Sequence, residues 1–131
     1  MEDIIQCMID KKIWAVVGAT QNPTKFGYKI FKRLKSAGYE VYPVNPVYES
    51  IEGEKCYGSL SQLPVQVDCV NIVVSPEKAL VVVQEAIDNG LNYLWFQPGS
   101  FDDGVIAMAE KNNCQVVYHH CILVELNNRG K

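Results

Sequence analysis

The residues with the most evident capacity for chemistry lie between Gly18 and Gly27, where the chain reads GATQNPTKFG. Residues 19–25 are small, polar or turn-forming, and Asn22-Pro23 is a strong local breaker. Positive charge is concentrated just beyond, from Lys25 to Lys35. A small-residue loop between a strand and a helix presents backbone N–H groups and the positive helix end to an anion, usually a phosphate. The same lysines would also serve as a solvated helix face. A second cluster, His119-His120-Cys121, raises the question of a metal. Adjacent residues on a strand point to opposite faces, and no other Cys/His pair has ligand spacing, so no metal site is expected.

The elements that must position the loop are legible around it. Ile13 to Val17 (IWAVV) is an almost unbroken apolar run, as in a strand covered on both faces. From Gly27 the pattern turns helical, with Ile30, Phe31, Leu34 and Ala37 on one face and Lys29, Lys32, Arg33 and Lys35 on the other, up to a stop at Ser36-Ala37-Gly38. Glu40 to Val44 reads as a second strand closed by Asn45-Pro46, with Pro43 marking a strand end. Val47 to Gly58 suggests an irregular hairpin, and Ser59 to Pro64 a helical turn at most. Val67 to Val74 is a third buried strand. Ser75 and Pro76 are a natural N-cap and first position for a helix that runs to Asn89-Gly90. Tyr93 to Gln97 is a fourth strand, a helix follows from Asp102-Asp103 to Asn112-Asn113, and Gln115 to His119 is a fifth strand. Cys121 to Leu126 is a short apolar tail with a final helical turn, and a frayed end is expected over 127–131. A short leading helix carries Ile4, Ile5, Met8 and Ile9. Trp14 and Trp95 sit inside strands and are expected in the core.

Alternating strands and helices predict an α/β fold of three layers, Rossmann-like, with a parallel five-stranded sheet and helices on both faces. One domain over 1–131 is expected. In such sheets ligands bind at the C-terminal strand ends. Those ends are Gly18 to Lys25, Val44 to Pro46, Val74 to Pro76, Gln97 to Ser100 and His119 to Cys121, each polar or turn-like.

Bulk properties narrow the function. The 131 residues are 48% apolar and 21% charged, with net charge −3 and pI near 5.3. Nucleic-acid surfaces are usually basic, so none is expected. No apolar run approaches the ~20 residues of a membrane span. The start, MEDIIQCMIDKK, carries two early acids and does not read as a secretory signal. Five scattered cysteines, with no C-x-x-C pair, point to reduced thiols and a cytoplasmic location. The nicotinamide fingerprint G-x-G-x-x-G is absent, and the second strand ends in Asn45-Pro46 rather than an acid. The Walker pattern is missing as well.

Six segments in order carry a family resemblance: VVGATQNPTKFG at Val16 to Gly27, YPVNP at Tyr42 to Pro46, IEGEKCYGSL at Ile51 to Leu60, VVSPEKA at Val73 to Ala79, LWFQPGS at Leu94 to Ser100 and CILVE at Cys121 to Glu125. From Lys12 to Leu126 the chain resembles the small single-domain CoA-binding proteins, which share the fold of the N-terminal CoA-binding domain of the succinyl-CoA synthetase α subunit. The resemblance implies that Gly18, Ala19, Thr20 and Lys25 hold the pyrophosphate. It implies that Val44, Asn45 and Pro46, with Pro43, border the adenosine. Val74, Ser75, Pro76 and Ala79 would form the facing wall, and Gln97, Pro98 and Gly99 would flank the pantetheine. Relatives carry a basic residue after the VNP turn, where this chain has Val47-Tyr48. A charge partner for the 3′-phosphate is then expected from Lys29, Lys32 or water.

The resemblance implies binding of coenzyme A or an acyl-CoA. No Ser-His-Asp set, carboxylate pair or metal cluster can be placed in the sequence, so no catalytic apparatus is evident. The possible partners are a second copy, through the apolar helix Ala79 to Ile87, and a partner enzyme. The alternatives are a small enzyme acting on an acyl-CoA or NAD(P)-linked substrate, with Cys121 or a histidine in its chemistry, and a scaffold with a vestigial site. Cys121 is expected to be a buried, inert thiol, with a mixed disulfide to coenzyme A as the other reading. Gly18→Val is expected to lower coenzyme A binding while the fold survives.

Overall fold

A computed structural model describes residues 1–131. Five parallel strands form the central sheet: β1 (Ile13–Val17), β2 (Glu40–Val44), β5 (Cys69–Ile72), β6 (Tyr93–Phe96) and β7 (Gln115–Val117). Their order is β2-β1-β5-β6-β7. A two-stranded antiparallel hairpin, β3 (Ser50–Ile51) and β4 (Glu54–Lys55), forms a second small sheet, and Tyr57 just beyond it bridges to the end of β2 at Val44. The helices are α1 (Glu2–Ile9), α2 (Phe26–Ser36), α3 (Pro76–Asp88), α4 (Asp103–Lys111) and α5 (Ile122–Asn128), with one 3₁₀ turn at Leu60–Gln62. The fold is α/β and Rossmann-like, as the alternation of elements predicts.

Side-chain alternation along the strands builds two cores. Trp14 and Val16 face one way with Ile5 and Met8 of α1, Ile30 and Phe31 of α2, and Ile122 and Leu126 of α5. Ala15 and Val17 face the other way with Ala79 and Val83 of α3 and Val105 and Ala109 of α4. Both tryptophans are fully buried, their ring centroids 6.2 Å apart. Three layers result, and the hydrophobic driving force acts on both sheet faces, which is why the strands read as apolar runs.

Three strands are shorter than the sequence predicts, and one helix is longer. β5 covers Cys69–Ile72 rather than Val67 to Val74. Val67 is buried in the core without being in the strand, and the Asp68 carboxylate takes the N–H groups of Lys12 and Ile13 at the sheet's lower rim. β6 ends at Phe96, before Gln97. β7 ends at Val117 because His119 adopts φ +66°, left-handed backbone that no strand continues. α5 runs to Asn128 instead of stopping at Leu126, and Arg129 beyond it binds Glu125, Glu2 and Gln6.

The winding of the sheet positions the site. β1 pairs in register with β2 from Ile13↔Glu40 to Val17↔Val44, and on its other side with β5 from Trp14↔Cys69 to Val17↔Ile72. The chain leaves β1 toward one edge, then returns past it to β5 and the other edge. The carboxyl ends of β1 and β5 therefore flank the switch in winding direction, where such sheets open a crevice.

Candidate functional site

Gly18 follows β1 at that switch. Its φ is +101°, and its N–H donates to the Val44 carbonyl at 3.0 Å. A Cβ here would lie 2.2 Å from the Val73 carbonyl oxygen, and one on Gly27 would lie 2.0 Å from the Gly18 oxygen. The two glycines let α2 seat directly on the end of β1, beside β5. This corrects the expectation for Gly18→Val: the fold itself requires a bare backbone at this corner, so that variant reports on folding before it reports on a ligand.

The loop after Gly18 is tied down by the segment after β2. Asn45 donates Nδ2 to the Ala19 carbonyl and accepts the Val47 N–H on Oδ1, both at 2.9 Å. The Thr20 hydroxyl meets the Tyr48 hydroxyl at 2.9 Å and accepts the Asn22 N–H at 3.2 Å. Gln21 Nε2 donates to the Ser50 carbonyl at 2.8 Å. Cys56 extends the brace, its thiol directed at the Asn45 carbonyl and its pKa pushed up by burial. Lys25 is the N-cap of α2 but supplies no side-chain cap, so the first N–H groups of the helix stay open, as helix geometry requires. Lys25 is exposed and makes no ion pair. A rigid loop, open N–H donors and a free ammonium together suit an anion.

Two cavities share Gly18. One, of about 360 Å³, is lined by Gly18, Thr20, Lys25, Phe26, Gly27 and Val73. The other, of about 400 Å³, is lined from the strand ends by Gly18, Val44, Asn45 and Pro46 and from the far side by Val74, Val81 and Val82. These sizes fall in the ordinary range for small-molecule sites. A third hollow, of about 430 Å³, lies at the opposite end of the sheet among Asp10, Lys11, Lys12, Glu40 and Lys131.

The cavities thus gather seven of the residues singled out in the sequence: Gly18, Thr20, Lys25, Val44, Asn45, Pro46 and Val74. The others stand elsewhere. Ala19 and Ala79 have no exposed surface and belong to the two cores, so their side chains cannot form a ligand wall. Gln97 is 3% exposed and its amide is used internally: Oε1 accepts the Ile122 N–H at 2.9 Å and Asn71 Nδ2 at 3.4 Å, while Nε2 donates to the Cys121 sulfur at 3.4 Å. Gln97 is a brace between β5, β6 and α5. Ser75, Pro98 and Gly99 are exposed and Pro76 half-buried, outside both cavities. Lys32 lies 3.8 Å from Glu52 and Lys35 2.9 Å from Glu54, so hairpin acids already face these two lysines. Lys29 lies over the Phe26 ring, 5.7 Å from its centroid.

Sequence reasoning missed Lys78, Val47, Val81, Val82, Gly58 and Ser59, all lining the larger cavity. The excess apolarity of α3 was a signal for two of them: Ala79, Val83 and Ala86 face the core, while Val81 and Val82 face the cleft. Lys78 carried a fainter signal, a cation in the first turn of a helix, where the dipole disfavours it.

The His119-His120-Cys121 cluster diverges in space. His119 is exposed and packs edge-on against Phe101 at 5.0 Å. His120 Nδ1 lies 3.3 Å from Glu125 Oε2, and half-buried Cys121 accepts from Gln97.

Comparison with known proteins decides what this arrangement is related to. The family of CoA-binding domains matches residues 12–127. The chain belongs to that family. A conserved hypothetical protein from Pyrococcus furiosus is 46% identical with a TM-score of 0.83, over 88% of this chain and 98% of its own. A hypothetical protein from Pyrococcus horikoshii superimposes with a TM-score of 0.91 at 32% identity, over 97% of this chain and 89% of its own. The alpha subunit of the ADP-forming acetate–CoA ligase II of Pyrococcus furiosus is 48% identical over 65 residues, which are 49% of this chain and 14% of that subunit. The CoA-binding-domain chain therefore spans a small part of the ligases it resembles. No helix in it is long and apolar enough to cross a membrane.

Proposed function

We propose that this chain holds coenzyme A, free or as an acyl ester, across the carboxyl ends of β1, β2 and β5. One observation carries the reading: Gly18, Val44 to Pro46, and Val74 come from three strand ends and meet around one cavity at the switch point, beside the open start of α2. The pyrophosphate would lie on the α2 start, near Lys25 and the N–H groups after Gly18. The adenosine would lie between Asn45 and Pro46 on one side and Val74, Val81 and Val82 on the other. The pantetheine arm would leave past Pro98 and Gly99. In this reading Ala19 contributes backbone only, Ser75 and Pro76 the start of α3, and Ala79 and Gln97 support from beneath. Membership in the CoA-binding-domain family supports the ligand class.

We assign these residues no bond-making role. His120 is engaged by Glu125, and Cys121 accepts from Gln97. The match to a ligase subunit over 14% of its length supports a holding module that works with a separate partner enzyme. Five unpaired thiols fit a reducing compartment such as a cytoplasm.

The test is mass spectrometry of the small molecules extracted from purified protein, with thermal shifts against coenzyme A, acetyl-CoA, NAD and NADP. A ligand at ~100 times its dissociation constant adds about 2.7 kcal/mol, roughly 10 °C in a chain of this size. Coenzyme A in the extract, and a shift with it but not with NAD, is the expected result. A shift with NAD or NADP alone overturns the reading.

A further inference from the structure

The larger cavity is mostly apolar and carries two ionisable side chains, Lys78 and Glu85. Glu85 is committed to the protein: Oε1 accepts the Leu60 N–H at 2.7 Å, and Oε2 accepts the Ser61 hydroxyl at 3.3 Å. Lys78 has no such commitment. It is exposed, and it is absent from every ion pair in the molecule. Its position is also unfavourable by itself. It is the third residue of α3, at the positive end of the helix, and the Ser75 hydroxyl caps none of the open N–H groups there. An unpaired ammonium thus borders a cavity whose one carboxylate, Glu85, is already bound to the protein, while Glu77 in the same first turn of α3 lies outside the cavity.

A ligand that meets this ammonium carries negative charge on its adenosine side. The smaller cavity, with Lys25 and the α2 start, already suits the pyrophosphate. Lys78 shares its cavity with Asn45, Pro46 and Val47, the turn assigned to the adenosine. That turn offers no cation of its own, because Val47 is apolar and the Tyr48 hydroxyl is bonded to Thr20. Of the two lysines expected from the sequence, Lys32 lies beside Glu52 and Lys29 over the Phe26 ring, and neither lines this cavity. We propose that Lys78 recognises the 3′-phosphate of coenzyme A and sets the preference for coenzyme A over its 3′-dephospho form. A lysine acts here as a flexible point charge, suited to a phosphomonoester at an open cavity mouth. The assignment rests on the coenzyme A reading above.

Calorimetric titration of the wild-type protein, Lys78→Gln and Lys78→Arg with coenzyme A and with 3′-dephospho-CoA separates the possibilities. Wild type is expected to prefer coenzyme A by about tenfold, the scale of one charge-assisted hydrogen bond. Lys78→Gln is expected to bind the two ligands alike, and Lys78→Arg to keep most of the preference. Melting of each unliganded variant near the wild-type temperature shows that the helix is intact, as an exposed side chain predicts. A wild type that binds both ligands equally overturns the assignment, as does a preference that survives in Lys78→Gln or a variant that weakens both ligands in the same proportion. A wild type that binds neither ligand removes the coenzyme A reading itself, and with it this assignment.

Discussion

Replacing Gly27 by alanine should destabilise the protein, although alanine is the better helix former. Gly27 is the second residue of α2, and its added Cβ would stand 2.0 Å from the Gly18 carbonyl oxygen and 3.0 Å from the carbonyl carbon. The obstacle is backbone, held by β1 on one side and by the Val44 and Val73 contacts on the others. It cannot swing away as a side-chain tip would. Relief requires α2 to lift from the end of β1, at a cost at the upper end of the overpacking range, about 3 kcal/mol. Helix propensity returns about 1 kcal/mol, leaving a net loss of about 2 kcal/mol. For a chain of this length that is a fall of roughly 7 °C in melting temperature. Gly104→Ala in α4 is the matched control. There the nearest atom to an added Cβ is the Asp102 Oδ1 at 3.4 Å, ordinary contact with a side chain. It should leave stability unchanged or raise it by up to about 1 kcal/mol. Urea and thermal melts of both variants give the comparison. A Gly27→Ala protein that melts at or above the wild-type temperature would refute the seating of α2 on Gly18, and with it the rigid loop on which the anion site depends.

Two further outcomes follow from buried groups. Asn71 is fully buried, and its Oδ1 has no partner, while Nδ2 reaches Gln97 at 3.4 Å. Asn71→Leu should therefore be neutral or stabilising by up to about 1 kcal/mol in urea melts, since Gln97 keeps its bond to Ile122; a loss above about 2 kcal/mol would mean that Oδ1 is satisfied in solution. Burial pushes the Cys56, Cys69 and Cys114 thiols above their ordinary 9.0, and the Tyr42 hydroxyl, bonded to Glu40, is pushed from 10.0 up to about 12. Groups with raised folded pKa values hold their protons after the unfolded chain has lost them. Stability should therefore fall as pH rises from about 9 towards 12. Urea midpoints measured across that window should decline, with a shallower slope in Cys69→Ala; a flat or rising midpoint contradicts the burial of these thiols.

Much of the fold was legible because its strands are buried on both faces. Ile13 to Val17 and Glu40 to Val44 match their strands, and Ser75-Pro76 marks the start of α3. What misled was burial without pairing. Val67 is apolar because it enters the core, not because it joins the ladder, so hydrophobicity overextended β5. The end of β7 depends on the left-handed backbone of His119, which a non-glycine residue does not announce. The site was legible at the strand ends that approach the switch point, Gly18, Asn45 and Val74. It was not legible where a side chain's direction decides. Gln97 looks like a polar ligand contact in sequence, yet three bonds turn it inward. Ala79 occupies the facing helix on its core side. Lys78, one position earlier, looks like an ordinary surface lysine, and only the fold, which sets α3 across the cavity from the turn after β2, brings it there. Gly18 was read as freedom for a ligand to approach, while the contact that excludes a side chain there is with Val73.

The central claim is that coenzyme A occupies the cleft between the ends of β1, β2 and β5. A titration of isotope-labelled protein with coenzyme A, followed by amide chemical shifts, tests both the ligand and its place. The account predicts saturable shifts centred on Gly18, Ala19, Phe26, Gly27, Asn45, Val47 and the Val74 to Lys78 segment, with the lower rim around Lys12 and Glu40 undisturbed. Shifts confined to that lower rim, or no saturable shifts at all, would contradict it.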